Sequence, residues 1–299
     1  MNFDERSLTD AVLARIDEST EPRLRRVMTS LVRHLHDFVR EVELTEEEWM
    51  SGIRFLTETG QKCDDKRQEF ILLSDTLGVS MLVDAINHRF PEGATQTTVF
   101  GPFYVSGAPE VPHWADIAGV GKGLRCYVSG RVLDTAGRPI EGAIVDVWQA
   151  EGEEGFYDVQ QPEKGMYCRG RIRTDAQGRY AFRTVQPTSY PVPTDGPVGA
   201  MLLKLGRHPF RPAHIHTMIS REGYRTLTTH IFVKGDPYLG SDAVFGVKDS
   251  LVVEFLQHPP GPAPDASTSE LPFSTASFDF RLAPAQPPAP GLSPEATAR

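Results

Sequence analysis

Large apolar side chains between residues 24 and 42 are spaced as on one face of an α-helix. They recur at i, i+3, i+4 and i+7, and such positions share one face because a helical turn holds about 3.6 residues. The side chains concerned are Leu24, Val27, Met28, Leu31, Leu35, Phe38, Val39 and Val42. The pattern therefore predicts one long amphipathic helix in this part of the chain.

Shorter helices are predicted on both sides of this long helix. Ser7 and Thr45 stand at positions suited to N-caps. Thr45-Glu46-Glu47-Glu48 also matches the capping box, in which the first and last side chains accept hydrogen bonds from each other's backbone N–H groups. Further along, the apolar positions between residues 70 and 86 predict two helices on either side of Gly78.

The hydrophobic pattern changes near residue 91, where Pro91-Glu92-Gly93 ends the helical region. The apolar but irregular segment 97–103 follows, and on pattern alone it is interpreted as a packed linker. Gly101 within this segment would let another group approach the backbone closely. We therefore predict a helical domain over residues 1–93 and a second domain over residues 94–282.

From residue 124 onward the pattern is that of antiparallel β structure. Residues 126–132 and 143–148 flank a loop rich in turn formers, as do residues 171–174 and 179–183, so each pair is predicted to form a hairpin. Further strands are predicted at residues 201–205, 213–219, 228–233, 251–255 and 278–282. This number of strands favours an α+β protein in which a β-sandwich of two facing sheets follows the helical domain.

Composition and charge narrow the classes of protein that fit this chain. Asp and Glu number 40 against 31 Lys and Arg, and the formal charge of -9 argues against a general nucleic-acid binder. Cys63, Cys126 and Cys168 are far apart, so neither a disulfide framework nor a cysteine zinc site is expected. No apolar run approaches the ~20 residues of a membrane span. We therefore expect a soluble cytoplasmic protein with an extended or disordered tail over the proline- and alanine-rich residues 283–299.

Two histidines lie two positions apart in a predicted strand. Successive side chains of a strand point to opposite faces, so His214 and His216 project from the same face and could bind one metal ion. Alternatively, both side chains simply form local hydrogen bonds. A metal would need further ligands. Tyr157 and Tyr190 lie in loops rich in glycine or proline, although a tyrosine in such a loop is usually a packing residue.

Two histidines together with two tyrosines would form a donor set suited to ferric iron. A phenolate is a hard anionic oxygen donor and neutral imidazole also binds iron, so this set favours Fe(III) over Fe(II) or Zn(II). A free tyrosine ionises only near pH ~10, so a phenolate at neutral pH requires the charge of the metal. Without a thiolate cluster, blue-copper and iron–sulfur chemistry are disfavoured.

Six motifs along the chain resemble those of a known enzyme family. They are residues 101–104, 145–150, 155–157, 173–175, 206–208 and 211–216. Together they resemble the intradiol ring-cleaving dioxygenases of the catechol type over roughly residues 20 to 282. The resemblance implies a helical N-terminal linker domain that forms a homodimer interface, followed by a β-sandwich catalytic domain with non-haem Fe(III). The resemblance leaves open whether the helical domain binds a phospholipid, as it does in relatives.

The resemblance also implies roles for individual residues. The iron ligands would be Tyr157, Tyr190, His214 and His216. Tyr167 competes for the first of these places, but its sequence context lacks the Gly-Phe-Tyr motif. The Tyr190 phenolate would be displaced by the substrate and take up one of its protons. Arg211 would stabilise negative charge that develops on the ring. The alternative interpretation is that Arg211 forms an ordinary surface salt bridge.

Within the family, the chain is more similar to the hydroxyquinol 1,2-dioxygenases, which cleave benzene-1,2,4-triol. The motifs concerned are residues 155–160, 194–200, 235–239 and 242–250. His230 stands where catechol-cleaving relatives carry glutamine. This difference favours hydroxyquinol as the substrate and a catalytic role for His230. The alternative is a strand histidine that only packs against its neighbours. Cleavage with O2 would give 3-hydroxy-cis,cis-muconate, the tautomer of maleylacetate.

The resemblance further implies a substrate pocket built from both predicted domains. Its candidate residues are Leu72, Asp75, Val99, Phe100, Gly101, Phe103, Val192, Pro193 and Val244. The Asp75 carboxylate could accept a hydrogen bond from the third hydroxyl of hydroxyquinol, which catechol lacks. The alternative is a surface or capping role for this residue.

Other functions remain open at this point. Catechol or a chlorocatechol is the alternative substrate for a dioxygenase. A non-catalytic binding module of transthyretin-like shape would need only the sandwich. A zinc hydrolase would use the two histidines but would want a carboxylate or a third histidine, and it leaves Tyr157 and Tyr190 without a role.

Overall fold

The computed structural model describes residues 3–64 and 67–285 of the chain. The chain forms two compact units, Met1–Gln61 and Lys62–Arg299. None of the helices in the described ranges is long and apolar enough to cross a membrane.

The predicted tail begins inside the folded part of the chain. Ala283 is buried, and Pro284 forms a β-bridge with Tyr224. The backbone N–H of Ala285 donates to the carbonyl oxygen of Gly223. The rest of the predicted tail, residues 286–299, lies outside the described residues.

Helices make up the first unit, as the hydrophobic spacing predicts. They are α1 (Leu8–Leu13), α2 (Pro22–Glu41) and α3 (Glu46–Gln61). The predicted long helix is α2, which begins after a Glu21 side chain that accepts two backbone N–H groups. The capping box before α3 is confirmed, because Glu48 N donates to Thr45 Oγ1 over 3.3 Å and Thr45 N donates to the Glu48 carboxylate over 3.0 Å. Ser7 precedes α1, but its hydroxyl makes no capping bond.

Three more helices belong to the second unit. They are α4 (Glu69–Thr76), α5 (Val79–Asn87) and α6 (Pro197–Lys204). The two helices predicted around Gly78 are confirmed, and this glycine has the left-handed φ of 74° that lets the chain turn between them. The two compact units thus divide the chain earlier than residue 93, and the predicted domain boundary at that residue stays a prediction.

Two large sheets form most of the second unit. Its strands are β1 (Glu110–Val111), β2 (Arg125–Asp134), β3 (Ile144–Gln149), β4 (Arg169–Arg173), β5 (Arg179–Val185), β6 (Tyr190–Pro191), β7 (Phe210–Arg211), β8 (His214–Ser220), β9 (Leu227–Val233), β10 (Val252–Val253), β11 (Leu256–His258), β12 (Gly261–Pro262), β13 (Thr268–Ser269), β14 (Phe273–Ser277) and β15 (Phe280–Leu282). The first sheet has the order β1-β4-β3-β8-β9-β10. The second has the order β11-β14-β2-β15, and β5 also pairs with β2.

The main hydrophobic core combines residues of both sheets. Val147 of β3 and Ile215 of β8 are buried in it from the first sheet. Val128 of β2, Phe182 of β5 and Phe280 of β15 are buried in it from the second. Because each sheet contributes an apolar face to one shared core, the predicted β-sandwich is confirmed.

Both predicted hairpins are wrong. β2 pairs with β5, from Arg125↔Val185 to Arg131↔Arg179, whereas β3 pairs with β4 and β8. The loop after β2 and the loop after β4 therefore each carry the chain from one sheet to the other. Turn-forming residues show where a strand ends, but they do not show which strand will be its neighbour, because that depends on which apolar faces meet in the core.

The strand predicted at residues 201–205 is also wrong, since residues 197–204 form α6. A short apolar run is compatible with a strand or a buried helix, and here Pro197 occupies the first helical turn while Leu202 is buried. The run 251–255 forms only the two-residue strand β10 after a short 3-10 helix. The run 278–282 is confirmed only over β15, whereas the strands predicted at 213–219 and 228–233 are confirmed as β8 and β9.

Gly130 in β2 offers a test of this packing. A Cβ at this position would overlap the Phe278 carbonyl oxygen, which is held by a 2.8 Å hydrogen bond from the Tyr180 hydroxyl. Gly130→Ala is therefore expected to lower the free energy of unfolding of this unit by about 3 kcal/mol, measured by urea denaturation. Gly240→Ala is the control, because nothing lies within 4 Å of its added Cβ. Equal effects of the two substitutions would contradict this account.

Candidate metal centre and substrate pocket

The neighbouring strands β8 and β9 bring three histidines together. His214 and His216 lie on one face of β8, and His230 of β9 is the direct cross-strand partner of His216. All three side chains are buried. The Nε2 atoms of His214 and His216 are 3.1 Å apart. The predicted common direction of the His-x-His pair is thus confirmed by the geometry.

Two tyrosine hydroxyls meet these imidazoles. Tyr157 directly precedes a short 3-10 helix, and Tyr190 begins β6, which pairs with β7 so that Tyr190 lies opposite Arg211. The two hydroxyl oxygens are 3.1 Å apart, and each lies 3.4 Å from His214 Nε2. Tyr167 is not part of this group, and its hydroxyl donates to Gln161.

The four donor atoms fit a single metal ion. Bonds from a metal to nitrogen or oxygen are about 2 Å long, so ligand atoms that share one ion lie roughly 3 Å apart, as His214 Nε2 does from each of the other three donor atoms. His214 Nδ1 lies 2.7 Å from the Pro212 carbonyl oxygen. That nitrogen must carry the proton, so the Nε2 lone pair is directed at the cluster. Two phenol oxygens with two imidazole nitrogens are donors that suit ferric iron.

Burial explains why the phenols need a cation. Burial, the largest effect, raises the pKa of Tyr157 well above its ordinary value, and the neighbouring Tyr190 adds to the increase. Burial likewise raises the pKa of Tyr190, although the Arg211 guanidinium opposes it. Neither hydroxyl would ionise at neutral pH on its own, and ionisation would require the charge of a bound cation.

His230 lies behind His216 rather than among the donors. Its Nε2 is 2.7 Å from His216 Nδ1, and its Nδ1 is 2.9 Å from Thr98 Oγ1. Both ring nitrogens therefore have partners, although the three histidines are close enough together to be a metal-binding group. Thr98 is a contributor that the sequence did not reveal, because its partner lies 132 positions away in the chain.

Aromatic rings hold two of the donors in place. The Trp148 ring stacks on the His216 imidazole with centroids 4.8 Å apart, and the Phe103 ring stacks on Tyr157 with centroids 4.4 Å apart. A Cβ at Gly101 would lie only 2.9 Å from the His216 ring. Glycine is therefore required at this position, which agrees with the close approach expected there.

Arg211 is buried beside the donor cluster. Its guanidinium Nη1 lies 3.3 Å from His214 Nε2, and its Nε donates to Asp242 over 3.1 Å. Burial, the largest single effect, acts to raise the pKa of Asp242, but the charge of Arg211 and the hydrogen bonds to this carboxylate together outweigh it, so this pKa lies below its ordinary value. The side chains are 4% and 2% exposed, which rules out the ordinary surface salt bridge considered above. Asp242 was not foreseen, because no local pattern connects it to Arg211.

A cavity of about 180 Å³ adjoins this cluster within the second unit. Tyr190 and Arg211 line it, whereas Tyr157 does not. Eight of the nine predicted pocket residues line it as well, namely Leu72, Asp75, Val99, Gly101, Phe103, Val192, Pro193 and Val244. The exception is Phe100, whose ring packs against Tyr104 and Trp148.

Helix α4 and the two residues before it contribute more of the cavity wall than was predicted. Arg67, Gln68, Glu69 and Ile71 line it together with Leu72 and Asp75. Because residues three and four apart share a helix face, the choice of Leu72 and Asp75 could have pointed to Gln68 and Ile71. Arg67 and Glu69 form an ion pair of 2.8 Å in this wall.

Asp75 is the carboxylate of special interest in the cavity wall. It is buried, and burial is the main cause that raises its pKa above the ordinary value. A hydrogen bond from Ser80 and the charge of Arg211 act in the opposite direction. The surface role considered for this residue does not apply. A ligand hydroxyl next to this carboxylate would gain a buried hydrogen bond.

Comparison with known proteins agrees with this geometry. Sequence profiles described as "Catechol dioxygenase N terminus" and "Dioxygenase" match residues 21–95 and 99–284. A 6-chlorohydroxyquinol 1,2-dioxygenase of Cupriavidus pinatubonensis is 54% identical over 87% of this chain and 94% of its own. A hydroxyquinol 1,2-dioxygenase of Rhodococcus opacus is 51% identical over 94% of this chain and 95% of its own.

A solved structure resembles the whole architecture. The hydroxyquinol 1,2-dioxygenase of Pseudomonas putida superposes with a TM-score of 0.89 at 52% sequence identity, over 94% of this chain and 99% of that protein. Both the profiles and these relatives extend over the helices and the sandwich. The chain therefore belongs to the intradiol ring-cleaving dioxygenases.

Proposed function

We propose that this protein is a hydroxyquinol 1,2-dioxygenase. It would cleave the ring of benzene-1,2,4-triol between its two adjacent hydroxylated carbons and add both atoms of O2, giving 3-hydroxy-cis,cis-muconate, the tautomer of maleylacetate. The observation that carries the proposal is the convergence of four metal donors on a cavity whose wall also holds the buried Asp75. The relatives named for hydroxyquinol support the choice of substrate.

Tyr157, Tyr190, His214 and His216 are the residues that would hold Fe(III). Ferric iron bound there would accept the two adjacent oxygens of the substrate and make the ring reactive toward dioxygen. Tyr190 is the phenol that the substrate can reach, because Tyr190 lines the cavity and Tyr157 does not. We therefore assign to Tyr190 Oη the uptake of a proton from a substrate hydroxyl.

Arg211 supplies positive charge to the cavity wall. It is held by Asp242, so the guanidinium is already oriented before negative charge develops on the ring. A preoriented charge in a site that excludes water stabilises such a transition state more than a mobile one would. His230 does not line this cavity and bonds His216, so we assign it a positioning role through His216 in place of the catalytic role that the resemblance implied.

Asp75 would select the third hydroxyl of the substrate. Its buried carboxyl group can bond a hydroxyl of hydroxyquinol, whereas bound catechol would present only C–H groups to it. The apolar side chains Leu72, Val99 and Val192 around it would contact the faces and edges of the ring. Catechol or a chlorocatechol is the alternative substrate.

Assembly and location form part of the proposal. Leu35 and Phe38 of α2 are about half exposed in the single chain, with 53% and 52% of their surface accessible, which supports a homodimer formed through the N-terminal helices. Sedimentation velocity would test this dimer.

A phospholipid in the helical domain stays a prediction. A cytoplasmic location likewise stays a prediction.

The substrate assignment is tested by oxygen uptake. Iron-loaded protein should consume one O2 per hydroxyquinol, and its kcat/KM for hydroxyquinol should exceed that for catechol by about tenfold or more, since one buried hydrogen bond is worth about 1.4 kcal/mol. Tyrosinate-to-iron charge transfer should also colour the protein red. A preference for catechol would contradict the substrate, and a colourless protein that stays inactive after iron loading would contradict the dioxygenase.

Asp75→Asn should lower the hydroxyquinol-to-catechol ratio of kcat/KM by about tenfold, because the amide replaces the carboxyl group that binds the third hydroxyl. The control is Asp84→Asn, since Asp84 is buried in α5 but bonds His88 and Thr97. Asp84→Asn should lower stability and leave the ratio unchanged. An unchanged ratio in Asp75→Asn would contradict the assigned role.

Asp75→Asn should also change how stability depends on pH. The pKa of Asp75 is raised in the folded state above its ordinary 3.8, so the folded protein loses stability as pH rises through the interval between the two values. Asparagine lacks this penalty. The variant should therefore gain in thermal stability over the wild type as pH rises from about 3.8 to 7. Parallel Tm profiles would contradict this expectation.

Thr98→Val tests the hydrogen bonds behind His216. If His216 Nε2 binds the metal, its Nδ1 donates to His230, which in turn donates to Thr98 Oγ1. Loss of such an outer partner lowers metal affinity about 10–100-fold, measurable by chelator competition. Thr229→Val is the control, because Thr229 is equally buried but bonds the Gln96 carbonyl. Equal losses of iron affinity in both variants would argue against a specific role of Thr98.

A further inference from the structure

A buried ion pair lies next to Tyr157 and has no part in the roles assigned above. The guanidinium of Arg169 in β4 bonds the Asp158 carboxylate through two nitrogens, with Nε donating over 2.8 Å. The two side chains are 1% and 5% exposed. Asp158 directly follows Tyr157 in the chain, so the pair anchors the backbone at a ligand tyrosine.

The same guanidinium reaches a second neighbour of Tyr157. Arg169 Nη2 donates to the Phe103 carbonyl oxygen over 2.9 Å. The Phe103 ring stacks on the Tyr157 ring with centroids 4.4 Å and planes 28° apart, and it also lines the cavity. One side chain thus holds both the backbone beside the phenol and the ring that packs against it.

The turn that carries Tyr157 leaves its backbone little freedom. The Tyr157 backbone N–H donates to Gln160 Oε1 over 2.8 Å, and the Val159 backbone N–H donates to Asp158 Oδ1 over 2.9 Å. Asp158 therefore bonds within its own turn and to β4 at the same time. Any change in the Arg169 contact would be transmitted to the orientation of the phenol.

Stability alone does not explain this ion pair. Removing two charges from water costs several kcal/mol per ion, and apolar residues of similar volume often replace a buried pair with no loss of stability. What apolar residues could not replace is the directional bonding and the positive charge.

We propose that Arg169 is a positioning residue for Tyr157. Through Asp158 and the Phe103 carbonyl it holds the phenol oxygen of Tyr157 at the donor cluster, and it thereby sets the strength of the bond from Tyr157 to the metal. This inference rests on the proposed function, because that function assigns Tyr157 to the metal. It adds a determinant of the metal site that lies in β4 and touches neither the cavity nor the other three donors.

The test replaces the pair in the full-length, iron-loaded protein. Asp158→Leu combined with Arg169→Met removes the charges but keeps apolar volume, so it should fold with a Tm within a few degrees of the wild type. Visible absorption and resonance Raman spectra of the tyrosinate bands report on Tyr157, and chelator competition reports on iron affinity. We expect shifted charge-transfer and phenolate bands and about a 10–100-fold loss of iron affinity.

A second variant covers the case in which the first does not fold. Asp158→Asn with Arg169→Gln keeps hydrogen-bonding groups without charge, so it should restore folding while the phenolate bands remain shifted from the wild type. The control is Asp265→Leu with Arg183→Met. This double variant removes the 3.1 Å ion pair between Arg183 and Asp265. Arg183 lies in β5, which belongs to the second sheet, whereas Arg169 lies in the first. This control should leave the bands and the iron affinity unchanged.

The outcomes separate the inference from the proposed function. A wild-type protein that shows no tyrosinate charge transfer after iron loading would overturn the proposed metal site and this inference with it. If the wild type shows the bands and a folded Arg169 variant keeps both the bands and the affinity, the inference alone is overturned. A shift of equal size in the Arg183 control would also overturn it.

Discussion

The burial of two tyrosine hydroxyls beside two imidazoles is the constraint on which the rest of this site depends. Taking a phenolate out of water is unfavourable, and burial raises the pKa of both Tyr157 and Tyr190. A phenolate at Tyr157 would need the charge of a bound metal ion, because burial outweighs the opposing charges of Arg211 and Arg169. Each of these two arginines is itself buried against an aspartate. Each arginine and its aspartate therefore compensate one another, and removing either would leave the other charge buried and unpaired.

The sandwich provides the rigidity that such an arrangement requires. His214 and His216 lie in β8, which is paired on both sides by β3 and β9, so their backbone has no freedom to adjust. Tyr190, the donor that the proposed reaction displaces, lies on the two-residue strand β6 at the cavity wall. The donor that would have to leave the metal is thus on a short element, while the two histidines proposed as ligands lie in the middle of a sheet.

Local sequence pattern was sufficient for much of the fold and for the two histidines of the donor set. Helical spacing predicted α2, and the turn at Gly78 separated α4 from α5, because periodicity and backbone freedom are properties of neighbouring residues. The common face of His214 and His216 likewise follows from strand geometry. The two tyrosines were identified by their resemblance to a family and not by pattern, since a tyrosine in a loop has no local signature of metal binding.

The sequence by itself determined where strands and helices form along most of the chain and which residue types could bind a metal. Only the tertiary structure decided that β2 pairs with β5 and not with β3, because strand neighbours are chosen by the fit of apolar faces across the core. It also decided which groups support the donors. Thr98, Asp242 and Arg169 bond partners that lie 132, 31 and 11 positions away, and such contacts leave no periodic trace in a sequence.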